Sequence, residues 1–306
     1  MLANPGKILV ITGPTCTGKS RLALELAIEM GGEIVNADSM QVYKYFDIGT
    51  AKPPISEQER VWHHLVDIVE PHEEFNAAIF RDRADRSIRG IWERQHLPIV
   101  VGGTGLYIRA LLHDLFKVPA DRALRLDLQQ IYDRDPLQFY ERVRKIDPEY
   151  CLKISFRDKR RMVRAMEVFQ LTGFSMSEWS RRHGFKGHRY DALKIGLQES
   201  REILFNRINE RVDTMLAQGW VQEVKSILSR GFDERLKPFT AIGYREIVQH
   251  LRGSITYEDM VRDIKKYTRH YAKRQFTWFS GEKDITWYAH PKDRDRIQER
   301  VKGFLK

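Results

Sequence analysis

The sequence predicts an α/β fold: a P-loop parallel sheet with helices on both faces, interrupted by an all-helical insertion domain. Three observations predict it. The apolar run Lys7–Thr12 feeds a glycine loop and then a helical period. Apolar runs and helical periods go on alternating through the first hundred residues, the pattern of buried parallel strands crossed by helices. From about His113 to Lys186 the strand signal vanishes and arginine-dense helical patterns replace it.

Each element has its own signal. Lys7–Thr12 (KILVIT) reads as a buried strand and Lys19–Met30 as a helix. Residues 33–37 form a second strand and 63–69 (HHLVDIV) a third. Residues 76–95 are helical, because Phe80, Ala84, Ile88, Ile91 and Trp92 recur at steps of three and four. Residues 98–101 are a strand ending at Gly102 and Gly103. Helical periods cover 121–134, 136–146 and 160–171; strands return at 192–197 and 285–288. Helices fill most of 200–280 and the final turns. The expected organisation is a P-loop core domain over 1–113, an insertion over 114–186, and the rest of the core over 187–306.

Composition narrows the function. Of 306 residues, 42% are hydrophobic and 31% charged, enough to close a core and too apolar for wholesale disorder. No run approaches the roughly 18 apolar residues of a membrane helix. The opening MLANPGKILVITG lacks a basic-then-apolar leader, so a cytoplasmic protein with no membrane partner is expected. Cys16 and Cys151 cannot build a disulfide framework or a zinc cluster. His63 and His64, adjacent on a strand, point to opposite faces and cannot chelate one metal. The balance of 52 basic and 42 acidic residues, a charge of +10, suits a polyanionic partner.

Gly13, Pro14, Thr15, Cys16, Thr17, Gly18, Lys19 and Ser20 fit G-x-x-x-x-G-K-[ST] between a strand and a helix. Backbone N–H groups of such a loop converge on phosphate oxygens, and the helix N-terminus adds favourable potential. Lys19 would neutralise terminal phosphates and Ser20 would ligate Mg²⁺. The loop alone leaves the ligand open between a nucleoside triphosphate such as ATP, the default, and a diphosphate ester. No guanine-reading N-K-x-D is present. Asp67, the nearest Walker-B candidate, lies inside its expected strand.

Other residues carry two readings each. Asp38, just past the second strand, suits either a turn cap or a base for an exocyclic amine. Thr104, on the loop Gly102–Gly105, reads alone as part of a strand-end turn. Arg207 and Arg211 repel at i, i+4 unless an anion or neighbouring carboxylates intervene. Arg157, Arg160, Arg161 and Arg164 form either a solvated face or a track for RNA phosphates. The helix carrying Arg262, Lys265, Lys266, Arg269, Lys273 and Arg274 offers a basic edge to RNA, with its aromatics Tyr267, Tyr271, Phe276, Trp278 and Phe279 assigned to packing.

Several motifs occur in a fixed order: DSMQVY from Asp38, DIGTAKP from Asp47, GGTGLY from Gly102, RMVRA from Arg161, AIGYRE from Ala241 and AKRQFTW from Ala272. With the phosphate loop they make the chain similar to the bacterial isopentenyl-tRNA transferase family, over nearly its whole length. The resemblance implies that residues 13–20 hold the diphosphate of dimethylallyl diphosphate, with Mg²⁺ at Ser20. It implies transfer of the prenyl group to N6 of the adenine next to the anticodon of tRNA. Asp38 would be the general base, Arg211 would grip the leaving diphosphate, and Thr104 would face the target nucleotide. By the same carry-over, tRNA is contacted by Asp38, Ser39, Met40, Gln41 and Thr104. Further contacts fall to Arg125, Arg160, Arg161, Met162, Val163 and Arg164 in the insertion, and to Thr240, Ala241, Ile242, Gly243, Tyr244 and Arg245. A monomer meeting the tRNA anticodon stem-loop is expected. The rivals are an adenylate isopentenyltransferase acting on free nucleotides, a P-loop small-molecule kinase, and a non-catalytic RNA-binding module.

Overall fold

The computed structural model describes residues 6–113, 119–183, 189–282 and 284–306. They divide into two compact units, Met1–Leu112 with Arg189–Lys306, and His113–His188. Residues 114, 186 and 187, which bound the expected insertion, lie outside the described residues.

The first unit begins with β1 (Lys7–Thr12), α1 (Lys19–Met30), β2 (Gly32–Asn36), α2 (Ile55–Gln58), β3 (His63–His64), α3 (Ala77–Glu93), β4 (Leu97–Val101) and α4 (Gly105–Leu112). The second unit holds α5 (Arg122–Arg134), α6 (Pro136–Ile146), α7 (Pro148–Cys151), α8 (Lys159–Thr172) and α9 (Met176–His183). The first unit resumes with β5 (Asp191–Leu197), α10 (Arg201–Ala217), α11 (Trp220–Ser229) and a 3₁₀ turn (Lys237–Thr240). It ends with α12 (Tyr244–Leu251), α13 (Tyr257–Ser280), β6 (Thr286–Tyr288) and α14 (Arg294–Leu305).

The six strands form one parallel sheet in the order β3-β2-β4-β1-β5-β6. Successive side chains of β1 serve opposite layers. Ile8 and Val10 pack with Phe80, Ile88 and Leu111 of α3 and α4. Leu9 and Ile11 pack with Leu22 and Leu26 of α1 and with Ile297 and Val301 of α14. All four β1 residues are fully buried, which is why the strand reads as an unbroken apolar run. The predicted stripe of α3 faces the first layer, and Asn76 caps that helix by accepting the N–H groups of Ala78 and Ile79.

The expected third strand is the exception. It pairs over His63 and His64 only. Leu65 and Asp67 take φ values of 64° and 56°, left-handed conformations that no strand accommodates. An isolated bridge between Tyr43 and Val69 is the remaining sheet-like contact of this segment.

In the second unit, aspartates punctuate the helices. Asp121, Asp135, Asp147 and Asp158 each accept a backbone N–H at the start of α5, α6, α7 and α8. Leu128, Tyr132, Phe139, Val143, Met162 and Met166 form its core. No helix among the described residues is long and apolar enough to cross a membrane.

Candidate active site

Adjacent strands β2, β4 and β1 deliver three loops side by side at the carboxyl edge of the sheet, where open α/β folds bind ligands. The phosphate loop follows β1 and opens α1, whose cap is Gly18 at φ 92°. Its inner residues hold its shape. Thr17 is buried and donates through Oγ1 to the Pro14 carbonyl at 2.9 Å, and Lys19 Nζ donates to the same oxygen at 2.5 Å. Cys16 sits at φ 63°, a strained conformation for a residue with a side chain, of the sort that gathers at functional sites. Thr15, Cys16, Gly18, Lys19 and Ser20 line a cavity of 410 Å³; Gly13, Pro14 and Thr17 are not part of its lining.

Asp38 follows β2 and answers both of its readings. Its Oδ1 accepts the N–H groups of Met40 and Gln41 at 2.8 and 3.3 Å, so it does cap a turn. Its Oδ2 has no hydrogen-bond partner among the described residues and remains available to a ligand. Burial pushes the carboxyl above its ordinary value, against the two N–H groups and the charges of Lys19 and Arg211, which pull it down. Burial likewise draws the Lys19 ammonium down to about 8, with the Arg211 charge acting in the same direction and Cys16 and Asp38 opposing it. Thr104, following β4, accepts the Ser39 N–H at 3.2 Å and so ties the third loop to the second.

Arg211 reaches this edge from α10, with Nη1 at 3.7 Å from the Cys16 sulfur. A second cavity of 320 Å³ adjoins the first. Thr15, Asp38, Arg211 and Tyr271 line both, so these groups stand at the junction. The second cavity is walled by Ile208, Val212, Met215, Trp220 and Ile242, with Ser39, Met40, Thr240 and Ala241. Trp220 explains a glycine of the AIGYRE motif: a Cβ at Gly243 would lie 1.9 Å from its ring. One end of the junction is therefore cationic and the other largely apolar. That suits a ligand with an anionic head and a hydrocarbon tail.

Of the remaining residues named from sequence, Gln41 lines the first cavity and Thr240 the second. Arg207 pairs with Glu199 at 3.2 Å, a local ion pair. Asp67 pairs with Lys52, outside any strand, and does not serve as a Walker-B carboxylate. Gln41 donates to the carbonyls of Thr50 and Ala51. Met162 and Val163 are buried in the core of the second unit. Arg160 is exposed, Arg161 pairs with Asp158, and Arg125 and Arg164 both pair with the buried Glu167. Tyr244 is also buried; its hydroxyl donates to Glu223 at 2.6 Å and accepts the Gly49 N–H. Of its motif, Thr240 and Arg245 are the exposed members.

The α13 aromatics correct another expectation. Phe279 is buried, whereas Phe276 and Trp278 are exposed and Tyr271 lines both cavities. Burial and the Asp38 charge push the Tyr271 hydroxyl well up. On the basic edge, Lys265 pairs with Asp213, Arg269 donates to Asn209 and Arg262 pairs with Asp259, while Lys266, Lys273 and Arg274 are exposed. Sequence reasoning thus missed Tyr271 and Gln275. Their i, i+4 spacing puts both on one face of α13, the signal that marks them as a pair.

Comparison with known proteins shows the family. The IPP transferase family model matches residues 41–282, and an isopentenyl transferase model matches residues 6–69. Over 300 residues, 97% of either chain, the sequence is 46% identical to the tRNA dimethylallyltransferase of Geobacter metallireducens. It is 45% identical to that of Desulfosudis oleivorans over 98% of this chain and 96% of the other. The fold is similar to the tRNA isopentenylpyrophosphate transferase of Bacillus halodurans, with a TM-score of 0.72, 36% identity, and 98% and 96% of the two chains covered. It is also similar to a eukaryotic dimethylallyltransferase caught acting on tRNA, with a TM-score of 0.80, 31% identity, and 97% and 78% covered. A family model that spans well over half of the sequence, and relatives alike from end to end, leave one conclusion: the chain belongs to the IPP transferase family.

Proposed function

We propose that the chain transfers the dimethylallyl group from dimethylallyl diphosphate to N6 of the adenine next to the anticodon of tRNA, releasing diphosphate. The observation that carries this reading is the Asp38 carboxylate. It stands where a cationic, phosphate-loop cavity meets an apolar one, with one oxygen held by backbone N–H groups and the other available. The names of the relatives, tRNA dimethylallyltransferases, support the same acceptor and donor.

In this mechanism the phosphate-loop N–H groups, Lys19 and Arg211 bind the diphosphate. They stabilise the charge that grows on it as the allylic C1–O bond breaks and the electron pair leaves with the phosphate oxygen. The N6 lone pair forms the new bond to C1, and the N6 proton passes to Asp38 Oδ2. A carboxyl raised by burial is a stronger base than an ordinary one, which suits that task. The apolar wall of Ile208, Val212, Met215 and Trp220 would seat the prenyl group and exclude water from an electrophilic carbon. The base must leave the anticodon-loop stack to reach this site.

Mg²⁺ fits the residues present. The exposed Ser20 hydroxyl lines the cavity with Lys19 and Asp38, and Mg²⁺ commonly takes one or two protein oxygens and completes its shell with substrate phosphates and water. Ser20 would hold it, and when bound it would supply further neutralisation of the diphosphate. The reading also entails a monomeric, cytoplasmic enzyme that meets the anticodon stem-loop.

Incubation with labelled dimethylallyl diphosphate, Mg²⁺ and unmodified tRNA tests the proposal. Label on adenine of the tRNA is the expected result. Label on free adenine nucleotides alone, or ATP consumption without prenyl transfer, would overturn it.

A further inference from the structure

Gln275 lies on α13, one turn beyond Tyr271, and its side chain is buried. Its Oε1 accepts the Thr15 N–H at 2.8 Å, and its Nε2 donates to the Gly103 carbonyl at 3.0 Å. A single amide therefore bridges the phosphate loop and the glycine loop that follows β4. The approach to the second loop is tight: a Cβ at Gly103 would lie 2.0 Å from Nε2. From there the connection continues, because Thr104 accepts the Ser39 N–H at 3.2 Å and donates its own N–H to the Ala37 carbonyl at 3.4 Å. Asp38 sits between those two residues.

We propose that Gln275 is a positioning residue for prenyl transfer. Its amide sets the spacing between the loop that binds the diphosphate and the segment that carries Asp38. The inference rests on the function proposed above, since it concerns how donor and base are held in register.

The chemistry of the position selects glutamine. Leucine or methionine would fill the space and leave the Thr15 N–H and the Gly103 carbonyl unpaired. Glutamate would accept from Thr15 but could not donate to Gly103, and it would place a negative charge beside the diphosphate. Asparagine is one methylene too short to hold both partners from the same helix. Reacting atoms tolerate little displacement: an error near 1 Å costs a rate on the order of 100-fold. Gln275 also lines the phosphate-loop cavity, and by fixing two loops it bears directly on turnover.

The test is steady-state kinetics of the full chain with dimethylallyl diphosphate, Mg²⁺ and unmodified tRNA, with a thermal melt of each protein. The variants are Gln275→Ala, Gln275→Glu, Gly103→Ala and the double variant Gly103→Ala with Gln275→Ala. Gln275→Ala is expected to lose kcat by about 10- to 100-fold, while both KM values move by less than about threefold; Gln275→Glu should lose kcat as well and raise the donor KM. Gly103→Ala, whose methyl group collides with the amide, should lower both Tm and kcat. Removing the amide as well relieves that collision, so the double variant should regain Tm without regaining kcat. If folded Gln275→Ala keeps kcat within about twofold of wild type, or if kcat follows Tm through all four variants, Gln275 merely packs and the inference fails. A wild-type protein that leaves tRNA unlabelled would instead overturn the proposed function, and the inference with it.

Discussion

Lys19 is held between two opposing demands. Its ammonium must be charged to meet a diphosphate, yet burial draws it from 10.5 to about 8. The kcat/KM for the donor should therefore fall as pH rises through about 8, and Lys19→Arg, which stays charged, should move that descent upward. The stability contribution has the opposite sign. Between about 8 and 10.5 the unfolded chain binds a proton at this site that the folded chain does not, so stability from Lys19 rises with pH across that window. Urea melts of wild type and Lys19→Met, compared at pH 7.5 and 9.5, would show it as a difference in slope between the two proteins. Asp38→Ala should abolish prenyl transfer and leave tRNA affinity nearly unchanged, because phosphate contacts supply most of the affinity of a protein for a nucleic acid. Arg211→Ala should raise the donor KM or slow transfer; donor titrations at saturating tRNA distinguish the two. Asp38 and Lys19 were legible in the sequence because short motifs fix their place at strand ends. Tyr271 and Gln275 were not, because nothing local tells which face of a 24-residue helix meets a loop hundreds of residues earlier.

Elements were legible where one period dominates. β1 and α3 show a fully apolar run and a clean stripe, and both fold as the pattern requires. The segment after β3 misled because HHLVDIV has strand composition, whereas Leu65 and Asp67 turn left-handed and Asp67 is drawn to Lys52. Composition cannot reveal a partner fifteen residues upstream. In the second unit, Glu167 is fully buried and accepts from Arg125, Arg164 and the Asp121 N–H, joining α8 to the start of α5. That geometry holds Arg125 and Arg164, two of the arginines expected from the family resemblance to meet tRNA. Glu167→Ala should destabilise the protein by about 1–3 kcal/mol, less than a fully buried pair would lose, since both arginines keep solvent contact. It should weaken tRNA binding in a gel-shift titration while leaving the donor KM in place. Glu167→Gln, which still accepts hydrogen bonds, should recover part of both effects.

For the molecule as a whole, the charge of +10 sets the ionic response. Raising salt from about 50 to 200 mM should lower tRNA affinity by at least tenfold, because each phosphate contact releases a counterion. Donor KM, governed by a few buried groups, should change far less. Filter binding and initial rates over the same salt series test the contrast. The sheet class followed from sequence, but its strand order did not, since pairing β1 with β4 and β5 joins segments about ninety residues or more apart. One backbone contact settles how so long an interruption is borne: the Arg189 N–H donates to the Leu112 carbonyl at 3.1 Å, so the core chain closes on itself where the helical unit departs and returns. The entropy of such a closed excursion grows only with the logarithm of its length. A lineage could therefore enlarge, trim or remodel this appendage to suit new RNA shapes while the catalytic half, sealed at the neck, kept its chemistry.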